Sequence, residues 1–419
     1  MLEYLIDIVQ EKLGLEHYRL HNYSLYRQSN IFLDTKYVLS MEWFPTEIID
    51  WEDEDLNPHG TAVIEIDVHN QQLQRIIFVG GKSMATHLQF DSGNIEGLIT
   101  WIEQETGLRY IEQFQLKDKE DNRLHFQSCY NGTRTSPSGY INIELDDEGI
   151  LHSYSIYGEF PYKDLIKEDT FALDISSMND LFFQQVNLLE FPSDQDEQWV
   201  PAYVLEEIYV KNDGSGTIEY DTFIHEKPRI KVSHILTWEE PLNIPFKQKR
   251  ISLSEDVSID EALSAEPHPD TYPISEQDIE KSVVAVRTLL RSQFSKDSGK
   301  WMLVSLFREN GYLHAILKQS KSDRKIFSPK IHVFIDPISF KVVNYIENKP
   351  FLEMCDRYKS AGEVTVSQEA AVELLHPHLE LTPLYVYDFE KQKYVLCGKL
   401  DCQMAVVGTN GRIVKLDDL

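Results

Sequence analysis

The sequence predicts an α+β protein built from tandem repeated modules, each with one helix packed on a small antiparallel sheet. A recurring pattern carries this prediction: an apolar run, a polar turn with Asp or Gly, and a second apolar run. It occurs at 63–78, 141–151, 333–343 and 406–414. Repetition at this scale is typical of duplicated supersecondary units. A helical segment is predicted before each hairpin, and a helix followed by an antiparallel meander indicates an α+β fold.

A first module is predicted over 1–90. Its helix ends at Gly14, because a glycine followed by an apolar residue, here Leu15, suits a left-handed helix cap. We interpret the acidic segment 50–55 as an insertion into this module. Apolar residues at helical spacing without a basic start predict an amphipathic helix rather than a signal peptide. They are Leu2, Leu5, Ile6, Val9 and Leu13.

A second module is predicted over 91–161. Asn94 is a residue type that favours the start of a helix. Gly107 followed by Leu108 repeats the ending predicted at Gly14. Between these ends, one helical face carries Ile95, Leu98, Ile99 and Ile102.

The middle region, 162–273, is less regular and is predicted to be mostly β. Val204–Val210 and Thr217–Ile224 flank a glycine-containing turn and predict a hairpin. The acidic, proline-containing segment Ser252–Pro273 is interpreted as a linker or as a segment that covers another part of the fold. One helical turn is predicted inside it, at 259–263.

Two more modules are predicted over 274–350 and 351–419. Ser275 with Asp278 matches a capping box at the start of one helix. Thr365 with Gln368 predicts the same device at the start of the next helix, which a later proline ends.

The last module resembles a PepSY-type domain. The residues that carry the resemblance are the capped helical segment 364–371, the strand segments 385–388 and 394–396, and the closing strand–turn–strand element 408–414. The resemblance implies a binding or inhibitory module, as in the propeptides of thermolysin-type metallopeptidases, without catalytic residues.

The tandem arrangement is similar to that of the bacterial YcdB/YcdC repeat proteins. Besides the modules at 91–160 and 270–419, the similarity draws on Trp238-Glu239-Glu240-Pro241 and on the segment 257–263. It implies several PepSY-like modules within one chain.

The formal net charge of −29 over 419 residues limits the classes of partner. A surface this acidic repels nucleic-acid backbones and anionic membrane surfaces. Apolar runs stay far below the roughly 18 residues that a membrane span needs. Four scattered cysteines do not match the disulfide framework of a secreted domain. We therefore predict a cytoplasmic protein with no nucleic-acid or membrane partner; its oligomeric state does not follow from the sequence.

The best metal-ligand candidates are His376, His378, Cys397 and Cys402, because zinc prefers imidazole and thiolate ligands. Their spacing does not fit, since residues an odd number of positions apart in a strand point to opposite faces. The acidic stretch 53–57 lacks the glycine of a calcium loop. We therefore predict no metal site, no cofactor and no catalytic residue.

Tyr385, Tyr387 and Tyr394 lie close together in the last predicted hairpin. They form either a partly exposed aromatic binding face or part of the core. The function predicted from the sequence is a non-enzymatic binding or regulatory protein that captures a peptide or protein partner. The alternative is a hydrolase whose site is assembled across modules. A third interpretation is a structural module with a role in immunity or in an assembly.

Overall fold

The computed structural model describes residues 2–48, 56–91, 94–219, 228–252, 257–321 and 324–419. The predicted acidic insertion at 50–55 lies outside them, as does most of the calcium-loop candidate at 53–57. Helices and antiparallel sheets both contribute, so the predicted α+β class is confirmed. The chain forms two compact units, and the five-segment division predicted from the sequence stays a prediction.

The first unit comprises Met1–Lys167, Ser254–Thr271 and Tyr385–Tyr394. Its elements, in chain order, are α1 (Leu2–Leu13), β1 (Tyr18–Ser29), β2 (Thr35–Pro45), β3 (Ala62–Asp67), β4 (Leu73–Phe78), α2 (Ile95–Thr106), β5 (Phe114–Glu120), β6 (Arg123–Tyr130), β7 (Thr133–Ser136), β8 (Tyr140–Leu145), β9 (Leu151–Tyr157) and β10 (Ile166–Lys167).

The strands of this unit lie in the order β1-β2-β3-β4-β9-β8-β6-β7, and β5 pairs with the other side of β6. Helix α1 buries Leu5, Val9 and Leu13 in a core that also holds Leu98 and Ile102 of α2. Apolar residues that recur every three to four positions on the helices therefore pack against apolar residues at alternate positions of the strands, as the sequence predicted.

The helix ends of this unit follow the predicted signals. The Asn94 side chain accepts hydrogen bonds from the backbone N–H groups of Glu96 and Gly97. Gly107 caps α2 with a left-handed φ of 72°, and Gly14 follows α1 with a φ of 68°. A Cβ on Gly14 would lie 2.1 Å from the Thr86 hydroxyl, so only glycine fits there.

A distant stretch of chain, 257–271, packs on this same sheet through α4 (Ile259–Ser264). Ala262 lies in the core, the Tyr37 hydroxyl donates to the Glu266 carbonyl over 2.6 Å, and the His268 N–H donates to the Thr35 hydroxyl over 2.7 Å. Of the two interpretations offered by the sequence, this segment covers the fold rather than linking parts of it.

The second unit comprises Glu168–Leu253, Tyr272–Leu384 and Val395–Leu419. Its elements are α3 (Asn179–Gln185), β11 (Val186–Ser193), β12 (Gln198–Leu205), β13 (Ile208–Lys211), β14 (Thr217–Glu219), β15 (Ile230–Leu236), α5 (Glu276–Gln293), β16 (Trp301–Glu309), β17 (Tyr312–Gln319), β18 (Lys330–Ile335), β19 (Val342–Glu347), α6 (Lys349–Glu353), α7 (Gln368–Leu375), β22 (Met404–Val407) and β23 (Ile413–Lys415). Two further strands, β20 (Glu380–Asp388) and β21 (Lys393–Asp401), contribute residues to each unit.

Helix α5 packs on a five-stranded antiparallel sheet in the order β15-β16-β17-β18-β19. Val286, Leu289 and Leu290 of the helix meet alternate residues of the strands, such as Val333 and Ile335. The predicted capping box is confirmed: the Ser275 hydroxyl accepts from the Asp278 N–H, and the Asp278 carboxylate accepts from the Ser275 N–H. This cap fixes the N-terminal end of α5.

The hairpin predicted from Val204–Val210 and Thr217–Ile224 is confirmed where β13 pairs with β14 across the predicted turn, but its first strand does not run unbroken from Val204 to Val210. The chain leaves the sheet β11-β12-β22-β23 at Leu205 and enters a different sheet at Ile208, where β13 pairs with β14 and β21. Glu206 and Glu207 occupy the change of direction, and the Glu207 carboxylate meets Lys399 at 3.0 Å. Two adjacent carboxylates do not fit a continuous buried strand, and this ion pair gives one of them a partner.

The predicted cap of α7 is also misplaced. Ser367, rather than Thr365, begins the helix, because its hydroxyl accepts from the Ala370 N–H. The Thr365 hydroxyl instead donates to the Thr409 carbonyl over 2.8 Å. The Gln368 side chain donates to carbonyls near the end of α3 instead of closing a capping box.

Candidate functional site

The candidate site is an apolar groove, called here the α5 groove, along the outer face of α5. Its floor is formed by residues with small or medium side chains, among them Val284, Ala285 and Thr288. Val284 is 59% exposed although it is apolar. The lining residues of α5 run from Glu280 to Ser292, about 18 Å at the rise of an α-helix.

One wall of the α5 groove is the irregular segment 242–246, which carries Leu242, Ile244 and Phe246. The Leu242 N–H donates to the Arg291 carbonyl over 3.0 Å, which fixes the wall to the C-terminal end of α5. The Phe246 ring packs on Tyr345 with 5.7 Å between centroids. The wall is thus held in place while Ile244 stays 61% exposed.

Hydrogen bonds hold the chain just before and just after segment 242–246. Before it, the Trp238 indole N–H donates to the Ser295 carbonyl over 3.2 Å. After it, the Lys249 N–H donates to the Val343 carbonyl over 3.0 Å, and Asn344 donates back to the Lys249 carbonyl over 3.0 Å. These hydrogen bonds make the groove a preformed site, with its wall in place in the absence of a ligand.

The second wall is the turn that joins β18 to β19. Asp336 organises it, because one carboxylate oxygen accepts from the N–H groups of Ile338 and Ser339. The Ser339 N–H, the largest influence, lowers the pKa of Asp336. Ile338 at the tip is 90% exposed, and Phe340 adopts a left-handed φ of 52°. Such strain in a bulky residue is concentrated at functional positions.

The size and charge of the α5 groove suit a largely apolar ligand. Its volume is about 760 Å³, within the range of pockets that bind small molecules or side-chain clusters. The charged residues that line it, in the described part of the chain, are Glu280, Lys281 and Lys341. Lys281 lies over the Phe340 ring, 4.6 Å from its centroid. The lining is therefore net positive on a chain of net charge −29.

A histidine pair occupies the face of the same sheet that points away from α5. Ile331, Val333 and Ile335 of β18 belong to the core beneath α5. Because side chains alternate along a strand, His332 and Phe334 point to the opposite face of the sheet. The His332 and Phe334 rings stack with 4.5 Å between centroids, and His314 lies 4.9 Å from each of them. Burial, the largest cause, lowers the pKa of His332 to about 4.

The metal candidates from the sequence do not come together. The described residues contain no group of three or more His, Cys, Asp or Glu side chains that could hold a metal ion. His376 contacts Asn179 at 3.2 Å, and His378 is exposed. Cys397 and Cys402 are buried, and burial raises the pKa of the Cys402 thiol.

The aromatic face predicted from Tyr385, Tyr387 and Tyr394 is wrong as a binding surface, and the core alternative is confirmed. All three residues are buried. Tyr387 packs edge-on against Tyr394 at 5.2 Å and against Phe32 at 5.1 Å. These rings pack within the first unit instead of facing a partner.

Sequence reasoning missed the α5 groove, although two signals were present. Val284 lies off the apolar stripe of α5, and Ile338 is a large apolar residue within a polar turn. The sequence gives no sign that segment 242–246 packs beside α5, because the two are far apart along the chain. The described helices include none that is long and apolar enough to cross a membrane.

Comparisons with known proteins add little to this geometry. No family model and no curated protein matches the chain. A solved structure to which it is similar is the Bacillus megaterium YpeB C-terminal domain, with 16% sequence identity over 48% of this chain and 85% of that chain, at a TM-score of 0.22. Similarity at this level carries no argument about fold or function. The resemblance to PepSY domains and to YcdB/YcdC repeat proteins stays a prediction.

Proposed function

We propose that this protein is a non-enzymatic binding protein that captures an apolar segment of a protein partner in the α5 groove. The observation that carries the proposal is the exposure of Ile244, Val284 and Ile338 around one preformed groove. Exposed apolar side chains that are contiguous mark interaction sites, whereas isolated ones are ordinary. Ile244, Val284 and Ile338 lie on three separate parts of the second unit, namely segment 242–246, α5 and the β18–β19 turn.

Further features support the same proposal. The tethers on both sides of segment 242–246 hold one wall in its binding shape, which lowers the entropy lost on binding. The left-handed Phe340 holds its ring at the groove under Lys281. Preorganised apolar surface with a few polar groups is the usual character of a binding site.

The proposal includes the tandem PepSY-like modules predicted from the sequence. The order of elements supports it, since α1 precedes β1–β4, α2 precedes β5–β9, and α5 precedes β16–β19. We further propose a cytoplasmic location. The four cysteines form no disulfide, which fits a reducing compartment.

Cross-linking of partners in an extract of the native cells tests this function. Lysine-reactive cross-linking should join a partner to Lys281 or Lys341 in the wild-type protein. Val284→Glu places a charge on the groove floor and should abolish these cross-links. Met354→Glu changes another well-exposed apolar residue of the same unit, outside the groove, and should leave them intact. Equal loss in both variants, or in neither, would contradict the proposal.

A further inference from the structure

We infer that the occupant of the α5 groove is an amphipathic helix of the partner, with acidic residues at the end that lies over Lys281 and Lys341. This inference rests on the proposed function. It adds the conformation of the captured segment, its charge and the end at which the charge lies.

The shape of the groove favours a helix. Its floor is a helical face about 18 Å long with small side chains at Ala285, Thr288 and Ser292. Small residues let the axis of a second helix approach closely, and larger side chains at Leu242 and Phe246 then flank it. An incoming helix would place apolar residues at i, i+3, i+4 and i+7 in this groove.

The charge of the groove favours an acidic end. Lys281 lies in the second turn of α5, held over the Phe340 ring, and Lys341 lies in the adjoining turn. A helix antiparallel to α5 brings its C-terminal end to these lysines. The negative pole of its dipole then lies at the two lysines, which outnumber Glu280 at this end of the groove, and acidic side chains there gain lysine partners. Charge at one end of the groove therefore favours one orientation of the bound helix.

Selection from a displayed library of 16-residue peptides with random sequence tests the inference directly. The full chain serves as bait, and the Val284→Glu variant removes peptides that bind elsewhere. The selected peptides are expected to carry apolar residues at helical spacing and Asp or Glu concentrated at their C-terminal end. Synthetic winners should show induced helicity by circular dichroism when they bind.

Charge reversal provides the matched variant. Lys281→Glu should weaken binding of the selected acidic peptides about three- to tenfold, as expected for the loss of one ion pair and the gain of a like-charge contact. The same peptides with Lys in place of the acidic residues should bind Lys281→Glu better than the wild type. Met354→Glu should change neither affinity.

The outcomes separate the two proposals. Selected peptides with apolar residues at every second position would indicate that the ligand binds as an extended strand. That result would contradict the helical conformation but not capture of a peptide in the groove. Helical winners without acidic preference, or with no response to Lys281→Glu, would overturn the charge assignment. If no peptide distinguishes the wild type from Val284→Glu, both the inference and the proposed function fall.

Discussion

His314 and His332 are joined by a hydrogen bond between their rings, with 2.8 Å between Nδ1 of His314 and Nε2 of His332. The other nitrogen of His314 lies 2.8 Å from the Glu309 carbonyl, which can only accept. His314 Nε2 therefore carries a proton and donates to this carbonyl. His332 is the member of the pair whose neutral form burial favours.

The histidine pair predicts that stability falls as the solution becomes acidic. Burial holds the pKa of His332 at about 4, against 6.5 for an unperturbed histidine. Between these two values the unfolded chain binds a proton that the native ring does not, so the free energy of unfolding falls as the pH drops through this window. The expected loss is about 2 kcal/mol after allowance for the partial exposure of His332.

Urea unfolding of the wild type and of His332→Gln, followed by tryptophan fluorescence between pH 7 and pH 4, measures this loss. The variant should show a shallower decline, since glutamine does not titrate. Exposed His378→Gln serves as the control for the change of residue type. Charged neighbours of His332, namely Arg229, Glu309 and Lys330, are unchanged in both variants. Parallel pH profiles for wild type and His332→Gln would contradict the prediction.

The N-cap of α5 predicts a stability cost for Ser275→Ala. The substitution removes the acceptor for the Asp278 N–H and should destabilise the second unit by about 1 kcal/mol. Thermal unfolding followed by circular dichroism measures the change. Ser295→Ala, an exposed serine beyond the end of the helix, should have little effect. Equal effects of the two substitutions would show that the capping hydrogen bond contributes no stability.

Two neighbouring apolar positions on α5 should respond differently to truncation. Leu289 is 2% exposed in the core, so Leu289→Ala should cost about 2 to 5 kcal/mol because a cavity remains. Val284 lies in the open groove, so Val284→Ala should change the free energy of unfolding by less than about 0.5 kcal/mol. Urea titration of both variants makes the comparison. A large loss for Val284→Ala would show that Val284 is a core residue and not a binding residue.

The covering segment predicts a local effect for Tyr37→Phe. Its hydroxyl donates to the Glu266 carbonyl, and loss of this bond should loosen 257–271 by about 1 kcal/mol. Hydrogen exchange of 257–271 should accelerate about fivefold, while exchange in α5 stays unchanged. Tyr4→Phe, at an exposed tyrosine of the same unit, is the control. Unchanged exchange in Tyr37→Phe would mean that the segment is held without this contact.

The tether at Trp238 predicts an effect on the groove wall. Trp238→Phe keeps an aromatic ring but removes the donor to the Ser295 carbonyl. Hydrogen exchange of 239–247 should increase, and peptides selected for the α5 groove should bind about fivefold more weakly because the wall must order on binding. Binding at wild-type affinity despite faster exchange would show that the wall needs no preorganisation.

The sequence alone determined the local elements of this protein. Gly14 and Gly107 end their helices, Asn94 and Ser275 begin theirs, and alternating apolar residues define the strands. These signals act between residues a few positions apart, so the chain carries them without reference to the rest of the fold. Where two polar residues close in sequence could each cap the same helix, as Thr365 and Ser367 could, the prediction was wrong.

Tertiary structure decided everything that joins distant residues. It brought segment 242–246 to α5, set His314 against His332, turned the chain from one sheet to another between Leu205 and Ile208, and buried the aromatic cluster around Tyr394. Each of these contacts depends on which surfaces remain to be covered once the local elements exist. Burial of apolar area is non-directional, so a sequence pattern shows that a residue will be covered but not by what.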